Sequence, residues 1–180
     1  MYVGIDQSYS GFGLTFLYAD GRHITEVGKF EPKRLGEGID RLEEIGRWLS
    51  THLQVQQQIE FIDHVCMEGY ANGAKFGREK AGELAAIVKQ TIRRDVPGIP
   101  SYPTIVQPTA LKKYVTGSGT SQKNEILLHT YRKWGVQFSN DNAADSYGLA
   151  RIARDVATDR DGLAYENEVL KSLRIHTEKR

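Results

Sequence analysis

The chain predicts an α/β fold in which helices cover both faces of a mixed five-stranded sheet, antiparallel on one side and parallel on the other. Three observations predict it. Apolar runs at 1–6, 12–19 and 22–30 follow one another, with the turn signal Asp20-Gly21 between the second and third, as in an antiparallel meander. Beyond residue 37, segments with apolar residues at helical spacing alternate with short apolar runs, the pattern of β-α-β crossovers. The chain has 180 residues, 39 % hydrophobic and 26 % charged, enough for one domain with a substantial core.

Taken in order, residues 1–6 read as a buried strand, 12–19 as a second and 22–30 as a third. Gly4, Gly11 and Gly13 imply tight turns or close backbone approach near the first strand. Ile39, Leu42, Ile45, Leu49 and Leu53 recur at helical spacing, so 37–55 is a helix that the glutamine-rich stretch 54–58 ends. Phe61 to Met67 is a fourth strand, 69–76 a loop, and 77–93 a helix carrying Ala81, Leu84, Ala85, Val88 and Ile92. Pro97 and Pro100 exclude helix before a fifth strand at 101–106. Pro108 opens a short helix ending near Gly117, followed by helices at 121–134 and 140–157. The core domain is therefore 1–157, and 158–180 is a polar tail with a short helix at 164–174.

Three acids stand where an α/β sheet places chemistry. Asp6 ends the first strand. Glu68 directly continues Val65-Cys66-Met67. Asp145 shares a helix face with Leu149, Ile152 and Val156, the stripe expected to meet the sheet. Each has an ordinary structural reading alone: a turn cap for Asp6, a strand-end charge for Glu68, a helix-start acid for Asp145. Together they point to a hard divalent cation, because converging negative charge is costly unless neutralised. Oxygen donors suit Mg²⁺, with Mn²⁺ as a substitute. One cysteine and five scattered histidines (23, 52, 64, 129, 176) offer no zinc pattern. Asp141 and Asn142 lie near the edge of the same helix face; for Asp141 a cap and a ligand remain equally open readings.

Composition narrows the class further. The net charge is only +1, yet residues 108–133 hold Lys112, Lys113, Lys123, Arg132 and Lys133 against Glu125 alone. That is a basic face for a polyanion or a solvated helix surface. Cys66 cannot form an internal disulfide, which fits a reducing cytoplasm. No apolar stretch approaches the roughly 20 residues of a membrane helix. The first residues read directly into a strand, so no signal peptide is expected.

Four segments, in order, resemble RuvC-type Holliday junction resolvases. Gly4-Ile5-Asp6-Gln7-Ser8 with Gly11-Phe12-Gly13 is similar to that family's first catalytic strand and hairpin, and Val65-Cys66-Met67-Glu68 to the strand bearing its glutamate. Gly117-Ser118-Gly119-Thr120-Ser121-Gln122-Lys123 is similar to its glycine-rich DNA-contact segment, and residues 142–150 to its final acidic helix. The resemblance spans about 1–157, and the compact length resembles phage-type members. It implies an RNase H-like fold, a homodimer, and Mg²⁺-dependent paired nicking of four-way or branched DNA. Asp6, Glu68 and Asp145 match catalytic carboxylates. Asn142 falls where the family has another acid, a departure that leaves Asp141 or Asn142 as fourth ligand. Lys112 and Lys123 match basic residues near the scissile phosphate, with Lys123 neutralising developing charge. The family's base-stacking aromatic falls on Ala71, so Tyr70 or Phe76 would take over.

The implied arrangement has two Mg²⁺ ions per site, bridged by Asp6 and held by Glu68 and Asp145. Other readings stay open: a flap, branched-DNA or RNA–DNA hybrid nuclease of the same fold, a non-catalytic junction binder, and a sugar-kinase-type nucleotide module. The last needs a second copy of the domain, which this chain does not carry.

Overall fold

The computed structural model describes residues 1–36, 38–69, 78–98 and 103–178. Among them run β1 (Tyr2–Asp6), β2 (Phe12–Leu17), β3 (His23–Gly28), α1 (Pro32–Leu35), α2 (Ile39–Gln57), β4 (His64–Glu68), α3 (Arg78–Asp95), β5 (Thr104–Val106), α4 (Pro108–Thr116), α5 (Lys123–Trp134), α6 (Asp141–Ala157) and α7 (Ala164–Glu178). The five strands form one mixed sheet in the order β3-β2-β1-β4-β5. β1 and β3 each pair antiparallel with β2, whereas β4 pairs parallel with β1 and with β5. The meander closes at Gly21, whose φ of +91° suits glycine, with Tyr18 and Arg22 bonded across the turn.

Alternation along the strands sorts side chains into two cores. Val3, Ile5, Leu14, Phe16, Val65 and Met67 face α2 and α3, joining Leu42, Ile45, Leu49, Leu84 and Val88. Tyr2, Leu17, Cys66 and Val106 face the other way, joining Leu111, Tyr114, Leu149, Ile152 and Leu170 from α4, α6 and α7. Each fully buried aliphatic side chain contributes roughly 1.5–3 kcal/mol. The second core controls the site, because α6 lies directly on β1 and β2. A Cβ at Gly4 would fall well inside contact distance of the Ser146 carbonyl oxygen and the Ala150 nitrogen. Gly13 stands equally close to the Asn142 carbonyl, and Gly11 to the Asn142 side chain. The glycines that marked close approach in the sequence are thus the seat of α6. Thr15, on β2, completes the seat: its Oγ1 lies 2.9 Å from both Thr25 Oγ1 and Ser146 Oγ.

Several boundaries differ from expectation. α2 continues through the glutamines because three of their amides have tertiary partners: Gln54 Nε2 donates to Asp95 Oδ1 at 3.4 Å, Gln56 Oε1 accepts from Tyr18 Oη at 2.5 Å, and Gln57 Nε2 donates to the Asp95 carbonyl. Ile39, assigned to the helix stripe, and Phe61, assigned to the start of the fourth strand, are exposed at 69 % and 78 %, and β4 begins only at His64. The short helix expected at 164–174 in the polar tail extends as α7 to Glu178, and its Val169, Leu170 and Leu173 are buried in the second core. Its short apolar stripe is hard to see among charged neighbours.

Gly4→Ala should be among the costliest single substitutions, since backbone atoms of α6 block the new methyl. We expect a loss of about 3 kcal/mol or more in urea unfolding; a loss below about 1 kcal/mol would mean that α6 does not sit on β1 as described.

Candidate active site

Asp6 and Glu68 are brought together by strand register. β1 and β4 run parallel with Ile5 opposite Met67, so the next residues along, Asp6 and Glu68, lie side by side at the carboxyl ends of the strands. That is where open α/β sheets bind ligands. Gly4 and Cys66, two residues earlier on each strand, face α6, so Asp6 and Glu68 point to that side as well. Asp145 comes down on them from the second turn of α6. Asp6 is only 5 % exposed.

The electrostatics record this convergence. Burial raises the Asp6 carboxyl far above the usual carboxylate range, and the neighbouring Glu68, Asp145 and Asp141 charges push in the same direction. The two carboxyls act on each other at close range, Glu68 raising Asp6 and Asp6 lowering Glu68. Burial raises Glu68 too, against the favourable fields of Lys112 and Lys123. Asp145 is pushed up to about 7, by burial first and then by Glu68 and Asp141.

Asp141 stands at the rim of this cluster. The N-cap of α6 is Asn140, whose side chain accepts from the Ala143 nitrogen at 3.2 Å. Asp141 instead forms an ion pair with Lys123 Nζ, which holds its carboxyl below the usual range. Asn142 lies against Gly11 at the hairpin, its amide nitrogen toward the glycine.

The basic residues divide. Lys112 and Lys123 act on Glu68 and Asp145. Lys113 turns away and pairs with Glu168 of α7 at 2.6 Å. Lys133 is half-buried: it pairs with Glu166, donates to the Tyr114 carbonyl at 2.7 Å and lies over the Tyr114 and Trp134 rings. The expected basic face is accordingly narrower than the sequence implied, because two of its lysines secure α7. Gly117 caps α4 with φ +90°, and Thr116, Ser118, Thr120 and Ser121 bond among themselves in the turn that delivers Lys123. Gly119 passes close to the Thr109 carbonyl. Tyr70 and Phe76 lie outside the described residues.

Gln7 escaped the sequence reading. Its Nε2 donates to the Glu68 carbonyl at 2.9 Å, tying the two strand ends together. Only its position after Asp6 could have signalled this.

A divalent cation suits this donor set. Every candidate donor is oxygen, and Asp145 Oδ1 is buried without a hydrogen-bond partner. Among the described residues, no three Asp, Glu, His or Cys side chains form a ready-made metal site as they stand. Burial raises Asp6, Glu68 and Asp145 alike, so a cation binding there would compete with protons.

Raised carboxyls make stability depend on pH. Between its unfolded and folded values such a group binds more protons folded than unfolded, so stability falls as pH rises through that window. For Asp145 the window runs from about 4 to about 7, and Asp6 extends it upward. In chelator, Tm should fall from about pH 5 to about pH 8. Asp6→Asn should flatten the profile, and added Mg²⁺ should restore the wild-type Tm at the alkaline end. A level wild-type profile in chelator would contradict the clustering.

No known protein family matches the sequence. No curated protein matches it either. Solved structures do. The Thermus thermophilus RuvC structure superposes with a TM-score of 0.61 at 20 % identity, over 82 % of this chain and 89 % of that one. T. thermophilus RuvC in complex with a Holliday junction substrate gives 0.62 at 19 % identity, over 97 % and 95 %. The protein has a RuvC-like, RNase H-like fold.

Proposed function

We propose that the protein is a metal-dependent endonuclease that resolves Holliday junctions, acting as a homodimer that nicks paired strands. The observation that carries this reading is the convergence of Asp145 from α6 on Asp6 and Glu68 at the carboxyl ends of β1 and β4, on a fold whose similar structures include a RuvC bound to a junction. Action in a cytoplasm fits the lone cysteine, which is free and buried.

In this reading Asp6, Glu68 and Asp145 would hold Mg²⁺, with Asp141 or Asn142 completing the set. When bound, the metal supplies a water of lowered pKa and neutralises charge on the scissile phosphate. The chain's own residues do the rest. Lys112 and Lys123 draw the phosphate backbone toward the acids and offset charge as the bond breaks. Asp141 holds the Lys123 ammonium at the rim until a phosphate competes for it. The Gly117–Gly119 turn lets backbone N–H groups come close to a strand. Gln7 fixes the Glu68 backbone so that its carboxyl stays beside Asp6.

The test is nicking of a synthetic four-way junction with Mg²⁺, run beside fork, duplex and RNA–DNA hybrid substrates. Asp6→Asn, Glu68→Gln and Asp145→Asn should each lower nicking by at least about 100-fold. Junction binding measured in Ca²⁺ should survive. Full activity in Asp6→Asn rejects the reading, and faster cleavage of the hybrid redirects it to another substrate.

Lys112→Ala should weaken junction binding and flatten its salt dependence by about one charge. Lys113→Ala should leave both nearly unchanged, because Lys113 faces Glu168. Equal effects of the two substitutions in salt-titrated binding would contradict this division of the lysines.

A further inference from the structure

The loop that leaves Asp6 is held from several sides. Gln7 Nε2 reaches the Glu68 carbonyl. Ser8 Oγ accepts from the Ser10 and Gly11 nitrogens at 3.2 and 3.0 Å, which closes the turn. Tyr9, at its middle, is gripped by both helices of the first core. Its Oη donates to the Lys80 carbonyl of α3 at 3.0 Å, and its own carbonyl accepts from Arg41 Nη2 of α2 at 2.9 Å. The Arg41 guanidinium also lies over the Tyr9 ring, 4.8 Å from its centre.

Arg41 is an unfavourable residue for stability alone. It is 9 % exposed, yet among the described residues its one hydrogen bond goes to Tyr9, no carboxylate pairs with it, and its buried Nε has no acceptor. A buried charge without a counter-ion is costly. The residue also stands in the first turn of α2, at the positive end of the helix dipole, where a cation is disfavoured. A methionine would cover similar apolar surface without either cost. What methionine cannot do is hold the Tyr9 carbonyl and ring together.

We propose that Arg41 is a positioning residue for the metal-binding acids: by gripping Tyr9 it fixes the course of the chain just after Asp6, and so the direction in which the Asp6 carboxyl faces Glu68 and Asp145. The inference rests on the nuclease reading above and adds to it a residue from the opposite face of the sheet. Arg41 acts through the loop and not through its field, since the charges that chiefly move Asp6 are Glu68, Asp145 and Asp141. Mg²⁺ demands near-octahedral oxygen geometry, so a carboxylate free to swing holds it poorly. Groups that orient metal ligands typically matter by roughly 10–100-fold in metal affinity.

The experiment titrates Mg²⁺ and Mn²⁺ into the metal-free full chain, reading Tm and, for Mn²⁺, the spin-resonance signal of the free ion. Arg41→Met should raise the half-maximal metal concentration at least about 10-fold. Arg41→Lys, which can still donate to the Tyr9 carbonyl but lacks the planar fork, should raise it less, by about threefold. Nicking of a four-way junction should follow, with the Arg41→Met defect shrinking as Mg²⁺ approaches saturation. Ile45→Val, one turn along α2 in the same core, controls for lost stability: it should lower Tm in chelator and leave the metal midpoint where wild type has it. If Arg41→Met fails to fold, Arg41→Lys carries the test. Midpoints unchanged in the Arg41 variants, or shifted as far by Ile45→Val, overturn the assignment and leave the nuclease reading intact, as does a nicking defect that saturating Mg²⁺ leaves undiminished. A wild type that neither binds Mn²⁺ nor nicks rejects the nuclease reading, and the Arg41 assignment falls with it.

Discussion

Everything at the site depends on how closely α6 can lie on the first hairpin. Gly4, Gly11 and Gly13 remove the side chains that would hold the helix off, and Ala143, Ala144, Ser146 and Ala150 keep the helix side of the contact small. A helix packed on a sheet over larger side chains would stand several ångströms higher. Asp145 would then miss the strand ends, and Asp6 and Glu68 would have no third carboxylate above them. The Thr25–Thr15–Ser146 hydroxyl chain sits inside the same contact, so close approach leaves no unmet hydroxyl there.

The cost of this geometry is electrostatic. Three carboxyls in one desolvated corner cannot all stay ionised, and the protein meets the problem with protons and cations together. Burial and the neighbouring Glu68 together favour a protonated Asp6. Lys112 and Lys123 oppose the remaining charge from α4 and α5. Lys123 is itself restrained by Asp141, so the cation nearest the acids is held in place by an acid at the rim. A divalent ion would exchange for these protons, which links metal affinity, pH and stability in one equilibrium.

Away from the corner, a second set of charges has a purely architectural part. Lys133, Glu166, Tyr114 and Asp155 form a buried network in which Tyr114 Oη donates to Asp155 Oδ2 at 2.6 Å. Arg174 reaches the Asp155 carbonyl from α7 at 2.9 Å. With Lys113 and Glu168 at the edge, this network fastens α7 over α4, the helix that carries Lys112. α7 thus braces the helix that carries Lys112.

Much of this was legible in the chain itself. Strand alternation, the Asp20-Gly21 turn and the 3.6-residue stripes determined the five-stranded mixed sheet, because secondary structure follows local periodicity. The same local logic put Asp6 and Glu68 at strand ends and Asp145 on a core-facing stripe. Tertiary structure alone decided the rest. Lys112 and Lys113 are neighbours with the same charge, yet one faces the acids and the other Glu168, since which side of α4 meets α7 depends on packing. Ile39 and Phe61 fit their apolar patterns and still lie largely in water, which the local pattern cannot show. Gln7 reaches the Glu68 carbonyl only because β1 and β4 are neighbours in the sheet. Periodicity is written in adjacent residues, whereas pairing of distant carboxyls, lysines and amides is settled only when the strands register and α6 closes upon them.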